Sequence, residues 1–221
     1  PNTKNGDKNQ KLLVVDLCSG KSFTAALLGI LYPQATILAV DKLPPSKVPQ
    51  CYLHTTSTTS SSATITYWCN DVLRPTFEST LRDYVEDQLQ SMQQQHQQQT
   101  MMKPIPIFLV GMHLCGALAE KAIQLFVSIP HFQGLILSPC CLPRSKSTAR
   151  IAMKQQNIAH DPTAMYVFWS QYLKAQLEKH IVKENEYSSD NIHHVGMYPD
   201  LDMHSTKNCI IWASRRYSHS S

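Results

Sequence analysis

The feature that most constrains the fold of this chain is an alternation of short apolar runs with helix-like segments. The apolar runs have the length of buried strands, and they lie at residues 11–15, 35–40, 65–68, 105–110 and 134–137. Helical segments separate several of them, at residues 22–32, 76–92 and 117–128. Continuous apolar strands joined through helices are typical of parallel sheets that are covered on both faces. The pattern therefore predicts an α/β fold.

The C-terminal third adds a long helix and a pair of strands. Asp161 and Pro162 suit the cap and the first turn of a helix, which we expect to continue to about residue 183. Residues 192–198 and 208–214 are predicted strands joined by a polar turn. The expected fold is thus a mostly parallel sheet with helices on both faces and a C-terminal antiparallel strand pair.

The polar segments indicate how the chain is organised. Residues 1–10 are predicted to be a disordered tail, and residues 11–217 a single domain. Low-complexity inserts are expected at residues 54–63, where Thr and Ser dominate, and at 92–101, where Gln dominates. Because the chain starts with Pro1, we expect an excerpt or a processed form.

Composition narrows the class of protein. Hydrophobic residues make up 43% of the 221, enough for a real core, and the formal net charge of +4 permits a nucleic-acid partner without requiring one. The sequence contains no run of about 18 apolar residues and no apolar signal region, so we expect no membrane association. Seven cysteines in apolar contexts indicate a reducing compartment, and we predict an intracellular, cytoplasmic location.

The turn after the first predicted strand has the character of a ligand loop. Ligands of parallel sheets bind beyond the carboxyl ends of the strands, and residues 16–22 (DLCSGKS) follow such an end. Gly20 permits a positive φ and a close approach to the backbone, and Ser19 and Ser22 are small. Asp16 places a negative charge where a helix N-terminus otherwise favours anions. The combination suits a ligand with a cationic group better than a pyrophosphate.

Two further carboxylates close the next two predicted strands. Asp41 ends the second, where an acidic side chain can accept hydrogen bonds from both hydroxyls of a ribose. Asp71 ends the third, where it can reach an adenine amino group. Each alone is most simply a solvated turn residue or a helix cap. Three acids at three successive strand ends instead predict a nucleoside site.

Three motifs in this order resemble a methyltransferase-domain family. They are residues 15–21 (VDLCSGK), 111–116 (GMHLCG) and 138–141 (SPCC). The family includes eukaryotic tRNA 2′-O-methyltransferases with a His-x-Cys-Gly motif and the methyltransferase-like domain of the glutathione S-transferase C-terminal-domain-containing protein. The resemblance covers residues 11–145, with a weaker match at 205–211.

The resemblance implies a class I, Rossmann-like fold and S-adenosyl-L-methionine (SAM) as cofactor. It implies that Asp16, Cys18 and Gly20 belong to the cofactor loop and that Asp41 holds the ribose, and we predict that the small Ser19 contacts the cofactor with them. His113, with Cys115 and Gly116 after it, is implied to lie near the methyl group.

The chain departs from the commonest pattern of such loops, acidic-x-Gly-x-Gly-x-Gly. Cys18 stands at the first glycine position and Ser22 at the third. The chain also lacks the Asn-Pro-Pro-Tyr type of motif that amino-methylating enzymes use, which argues against a base or amide as methyl acceptor.

His113 is the candidate catalytic residue. A histidine of near-neutral pKa suits a general base for a hydroxyl acceptor; a purely structural role is the equal alternative. A zinc site of His113 with the cysteines at 115, 140 and 141 fails on spacing. A zinc deaminase site fails because the required acid is missing. We therefore predict no metal and a packing role for these cysteines.

A small basic cluster occupies residues 143–146 together with Arg150, in a predicted loop after the fifth strand. Such a cluster can hold phosphate, so RNA is the candidate substrate, and DNA is not expected; a merely solvated loop is the alternative. Two other functions remain open, a catalytically silent SAM-fold binding module and methylation of a small molecule. The sequence does not indicate an oligomeric state.

Overall fold

A computed structural model describes residues 11–49, 63–96, 105–181, 192–199 and 209–215. Within these ranges the chain forms seven strands, five α-helices and one short 3-10 helix. The predicted tail at 1–10 and most of the two predicted inserts, 54–62 and 97–101, lie outside the described residues.

The elements alternate as the sequence predicts. The strands are β1 Leu12–Leu17, β2 Ala35–Asp41, β3 Thr64–Cys69, β4 Ile107–Cys115, β5 Gly134–Cys141, β6 Ile192–Pro199 and β7 Cys209–Arg215. The α-helices are α1 Phe23–Leu31, α2 Phe77–His96, α3 Ala117–Ser128, α4 Thr148–Gln155 and α5 Pro162–Glu178. The strand order is β3-β2-β1-β4-β5-β7-β6 in a mostly parallel sheet that helices flank. The predicted Rossmann-like fold class is thereby confirmed.

The chain divides into two compact units, and the first comprises Pro1–Phe108. Here β1 and β2 run parallel, with Leu12 opposite Ala35 and Leu17 opposite Val40, and β3 runs parallel to β2. The strands β1 and β2 are almost wholly buried, as expected for apolar strands in a parallel sheet. Parallel pairing brings the carboxyl ends of all three strands to one edge, which positions the candidate site.

The second unit, Leu109–Ser221, contains the terminal strand pair. Strand β7 pairs antiparallel with β5 on one side and with β6 on the other. The last residue of β7, Arg215, is 7% exposed. Its guanidinium donates to the carbonyl oxygens of Phe126 at 2.6 Å and Ile129 at 3.3 Å. Since these carbonyls belong to the C-terminal end of α3, where a cation is favoured, Arg215 ties β7 to that helix.

The structure corrects three local predictions. Residues 148–155, predicted as part of a loop, form α4, because the Ser147 side chain accepts a hydrogen bond from the Arg150 amide and caps the helix. The glutamine tract is helical as far as His96, in keeping with the good helix propensity of Gln. Helix α5 starts at the predicted Asp161 cap but ends at Glu178. No helix among the described residues is long and apolar enough to span a membrane.

Candidate functional site

The loop after β1 has a left-handed backbone at three positions, of which only Gly20 is a glycine. Cys18, Gly20 and Ser22 all have a positive φ, of 58°, 56° and 61°. They stand at the three positions where the common loop carries glycine. A left-handed conformation costs a non-glycine residue about 1–2 kcal/mol. The surrounding structure therefore holds Cys18 and Ser22 in a conformation that their side chains disfavour.

Hydrogen bonds within the loop stabilise this conformation. Ser22 is fully buried, and its amide donates to the carbonyl oxygen of Ser19 at 2.8 Å. Its own carbonyl oxygen accepts from the amide of Ala26 in α1 at 3.0 Å. At Gly20, by contrast, no described residue other than its chain neighbours has an atom within 4 Å of the position that a Cβ would occupy. The loop is thus anchored at Ser22 and has open space beside Gly20.

Asp41, the last residue of β2, is joined directly to this loop. Its Oδ2 accepts a hydrogen bond from the amide of Gly20 at 2.9 Å, and its Oδ1 accepts one from the amide of Leu43 at 2.8 Å. A carboxylate offers about four acceptor sites, so two bonds do not exhaust it. The contact with Gly20 shows that the predicted loop and the predicted ribose acid meet at one place.

Asp16 lies beneath the loop as a buried carboxyl group. Only 1% of the residue is exposed, and its Oδ2 has no hydrogen-bond partner within the described part of the chain. Burial raises the pKa of this carboxyl from 3.8 to about 7; a hydrogen bond from the Ala25 amide opposes the shift, and the charge of Asp41 adds to it. Near pH 7 the Asp16 carboxyl is therefore divided between its neutral and its ionised form.

Asp71 follows the same edge but is engaged in its own turn. Its Oδ1 accepts from the amide of Leu73 at 3.0 Å, and its amide donates to the Oδ1 of Asn70 at 2.9 Å. The Asn70 amide in turn donates to the carbonyl oxygen of Asp41 at 2.9 Å. The backbone after β3 is thereby connected to Asp41, while the contact of Asp71 with an adenine stays a prediction.

Sequence reasoning missed Tyr67 at this edge. Its hydroxyl donates to the carbonyl oxygen of Leu43 at 2.6 Å, next to Asp41. Burial, together with the negative charges of Asp41 and Cys69, raises the pKa of Tyr67 to about 12. The signal for its position is the strand register, which sets Tyr67 opposite Ala39, and that register follows only from the folded sheet.

In the second unit, His113 lies near the end of β4 and is exposed, with a φ of 61°. Its carbonyl oxygen accepts from the thiol of Cys140 at 3.0 Å and from that of Cys115 at 3.7 Å. The backbone carbonyl of His113 thus accepts hydrogen bonds from two thiols. The role of its imidazole ring as a general base stays a prediction.

Three sulfur atoms form a tight group at the ends of β4 and β5, which we call the cysteine cluster (Cys115, Cys140 and Cys141). The Sγ of Cys115 lies 3.1 Å from that of Cys140 and 3.1 Å from that of Cys141, and the last two are 3.5 Å apart. Cys115 is exposed and the other two are half-buried. Burial raises the pKa of the Cys140 thiol, and the neighbouring thiols raise it further. The predicted packing role does not anticipate this grouping.

The predicted basic cluster is not uniform. Arg144 and Lys146 are exposed in the turn before α4, whereas Arg150 is half-buried on α4. Its guanidinium lies 2.8 Å from the sulfur of Met165. Two exposed cations therefore remain available for an anionic ligand, and Arg150 has a packing role, which corrects its predicted place in a solvated loop.

Residues 70–146 of the chain match the model of a family described as a methyltransferase domain. The match includes His113 and the cysteine cluster, but it begins at residue 70 and so does not include the loop after β1. A search of curated proteins found no match.

Among solved structures, the chain is similar to an O-methyltransferase family protein from Burkholderia thailandensis. The two are 10% identical, with a TM-score of 0.46, and the alignment covers 94% of this chain and 52% of that one. Human N-acetylserotonin methyltransferase in complex with SAM gives 12% identity and a TM-score of 0.37, over 93% and 48% of the two chains. Magnesium protoporphyrin IX methyltransferase from Synechocystis PCC 6803, with bound SAH, is 13% identical with a TM-score of 0.39. The alignment covers 96% of this chain and 77% of that one. The chain spans about half the length of the first two.

Proposed function

We propose that this chain is a SAM-dependent methyltransferase that binds its cofactor at the loop after β1. One observation carries the proposal: Cys18, Gly20 and Ser22 all have a positive φ at the positions where the common cofactor loop carries glycine, and the amide of Gly20 donates a hydrogen bond to Asp41. The family match over residues 70–146 supports the same chemistry from a separate part of the chain.

The residues present fit the charge and the shape of SAM. SAM carries a sulfonium and an ammonium group. The buried Asp16 carboxyl has an oxygen with no hydrogen-bond partner among the described residues and a pKa near 7. A cation bound over the loop would favour the ionised form of Asp16, since opposite charges lower the pKa of a carboxyl. The open space beside Gly20 allows a ligand to approach the backbone. When bound, SAM supplies an electrophilic methyl group.

The chain's own residues would divide the binding between them. Asp41 would accept hydrogen bonds from the ribose hydroxyls with its remaining lone pairs. Asp71 would accept a hydrogen bond from the adenine amino group. The left-handed Cys18 and the adjacent Ser19 would shape the backbone that the methionine part of the cofactor contacts. Asp16 would act through its charge, since it is buried beneath the loop.

For the acceptor we propose a hydroxyl group, with the 2′-hydroxyl of RNA as the leading candidate. His113 is exposed and has the chemistry of a general base for a hydroxyl. Arg144 and Lys146 are exposed cations in the second unit that can bind phosphate. We also infer an intracellular, cytoplasmic site of action from the number of thiols.

A second function is a catalytically silent SAM-fold module. Cys18 and Ser22 replace two glycines of the loop, and each bears a side chain in a strained conformation. Cofactor binding without methyl transfer would identify this alternative.

Calorimetric titration with SAM at pH 8 tests the cofactor site. We expect saturable binding that Asp41→Asn weakens by about tenfold or more, the effect of removing a charged hydrogen-bond acceptor. Asp83→Asn is the matched control, because Asp83 is an exposed carboxylate on α2, and it should bind SAM like the unaltered protein. Absence of binding at millimolar SAM, or equal affinity in the two variants, would refute the proposed site.

Incubation with methyl-labelled SAM and fractionated cell extract tests the acceptor. We expect label in the RNA fraction that resists alkaline hydrolysis at the modified position, as a 2′-O-methyl group does. His113→Gln should reduce the rate of transfer without changing SAM affinity. Label in protein or in small molecules would replace RNA as the substrate class, and no label in any fraction would favour the silent module.

A further inference from the structure

We propose that the cysteine cluster is a binding site for a thiophilic d10 metal ion, with zinc as the ion it would take up. The three sulfur atoms approach one another within 3.1–3.5 Å although they come from two different strands. Their ligand atoms meet the distance expected of groups that hold a metal ion. The inference does not depend on the proposed function, since all three residues lie in the second unit.

The spacing of the sulfur atoms accommodates zinc with a small outward adjustment of the three side chains. Zinc–thiolate distances are about 2.3 Å. An ion at that distance from all three sulfurs would sit about 1.3 Å above the plane they define, given their separations. The angles at the ion would be somewhat narrower than tetrahedral, and a small outward movement of the sulfurs would widen them. A fourth position would stay open on the exposed side of Cys115.

The backbone around the cluster is fixed in place from several directions. The Gly116 amide donates to the carbonyl oxygen of Cys141 at 3.3 Å, which joins the ends of β4 and β5. The Tyr166 hydroxyl on α5 donates to the carbonyl oxygen of Pro139 at 2.5 Å. Metal sites gain affinity when rigid elements hold the ligands before the ion arrives. The cluster therefore has the support of a built site.

The donor set selects the class of ion. Three thiolates are soft ligands that favour zinc or monovalent copper and disfavour magnesium or calcium, which require oxygen. The sequence argued against a zinc site of His113 with these cysteines, because structural zinc sites prefer two or more residues between paired cysteines and residues 140 and 141 are adjacent. The third sulfur arrives from β4, and a juxtaposition between strands has no spacing signature.

The test is a titration of the reduced full-length chain with zinc, in competition with a chromophoric chelator. We expect one equivalent to bind more tightly than micromolar. Cys115→Ser, Cys140→Ser and Cys141→Ser should each weaken binding by at least tenfold. Cys69→Ser is the matched control, because Cys69 is an exposed thiol at the end of β3, and it should bind zinc like the unaltered protein.

Cadmium provides a readout on the unaltered chain that needs no variant to fold. Cadmium bound by thiolates absorbs in the ultraviolet in proportion to the number of sulfurs, and we expect the intensity of three. Absence of zinc uptake, equal uptake in cluster and control variants, or a cadmium band absent at one equivalent would overturn the proposal. A cysteine-cluster disulfide that forms in air, with no metal uptake after reduction, would identify a redox pair instead. SAM binding should be unaffected by Cys140→Ser and Cys141→Ser, so the two proposals fail separately.

Discussion

The loop after β1 and the cysteine cluster share an unusual backbone feature, but they differ in the property on which each proposed site depends. Both contain left-handed residues that are not glycine, Cys18 and Ser22 in the loop and His113 beside the cluster. In the loop, the left-handed backbone is the shared feature, and Cys18 and Ser22 stand where the common loop carries glycine. In the cluster, the side chains are the important groups, and the backbone serves to bring them together. The proposed cofactor site thus depends on backbone conformation, and the proposed metal site on side-chain identity.

The largest expected effect comes from the buried charge beneath the loop. The pKa of Asp16 is near 7 in the folded chain and 3.8 as its ordinary value, so the folded state holds its proton more tightly. Stability should fall as pH rises from about 4 to 7, by roughly 4 kcal/mol from this group, and then level off. Asp16→Asn should abolish that fall and weaken SAM binding. Denaturant unfolding from pH 4 to pH 8 measures it.

Asp83→Asn, which alters an exposed carboxylate, is the control for the pH profile. An Asp16→Asn profile that parallels that of the unaltered chain would show that the Asp16 carboxyl ionises normally. The buried Asp16 carboxyl would then not be a special feature of the loop.

The next effect tests the backbone that supports the cluster. Gly116 has a φ of 52° and a ψ of −115°, a combination that is nearly exclusive to glycine. An added Cβ would lie 3.4 Å from the Leu142 oxygen and from the Pro143 Cα. Gly116→Ala should cost about 2–3 kcal/mol and weaken zinc uptake, as measured by chemical denaturation and metal titration. Unchanged stability would contradict the assigned conformation.

A smaller effect is expected for the matching substitution in the loop. Gly20→Ala meets open space, so only the positive φ opposes it, at a cost of about 1 kcal/mol. SAM affinity should fall more than stability does, because the methyl group enters the space offered to the ligand. If Gly20→Ala destabilised the chain more than Gly116→Ala does, the proposed contrast between the two regions would be wrong.

The smallest effect is a gain. Cys18→Gly removes a side chain from a left-handed position and should stabilise the chain by about 0.5–1 kcal/mol, with SAM affinity retained. A thermal melt in the presence and absence of SAM measures both. A loss of stability would indicate that the contacts of the Cys18 side chain outweigh its backbone strain.

Sequence reasoning located the elements better than the contacts. The apolar runs predicted β1 to β5, and the fold class followed from their alternation with helices. The N-cap of α5 at Asp161 was readable because its chemistry is local. Helix α4 was missed although Ser147 is a local cap signal, since Pro143 and the basic residues gave the segment the composition of a loop.

Contacts between strands were not predictable, because they depend on register. The sequence predicted that Asp41 and Gly20 lie at the same edge of the sheet, but not that they form a hydrogen bond. The position of Tyr67 beside Leu43 was not expected. The cysteine cluster joins residues 25 and 26 positions apart. No periodicity within one segment records such a meeting.

The central claim is that SAM binds at the loop after β1 and at the end of β2. Hydrogen exchange of the full chain, with and without excess SAM, tests it residue by residue. We predict slower exchange of the amides at residues 18–22 and 41–43 when SAM is present. Unchanged exchange there under saturating SAM, or protection confined to other segments, would contradict it.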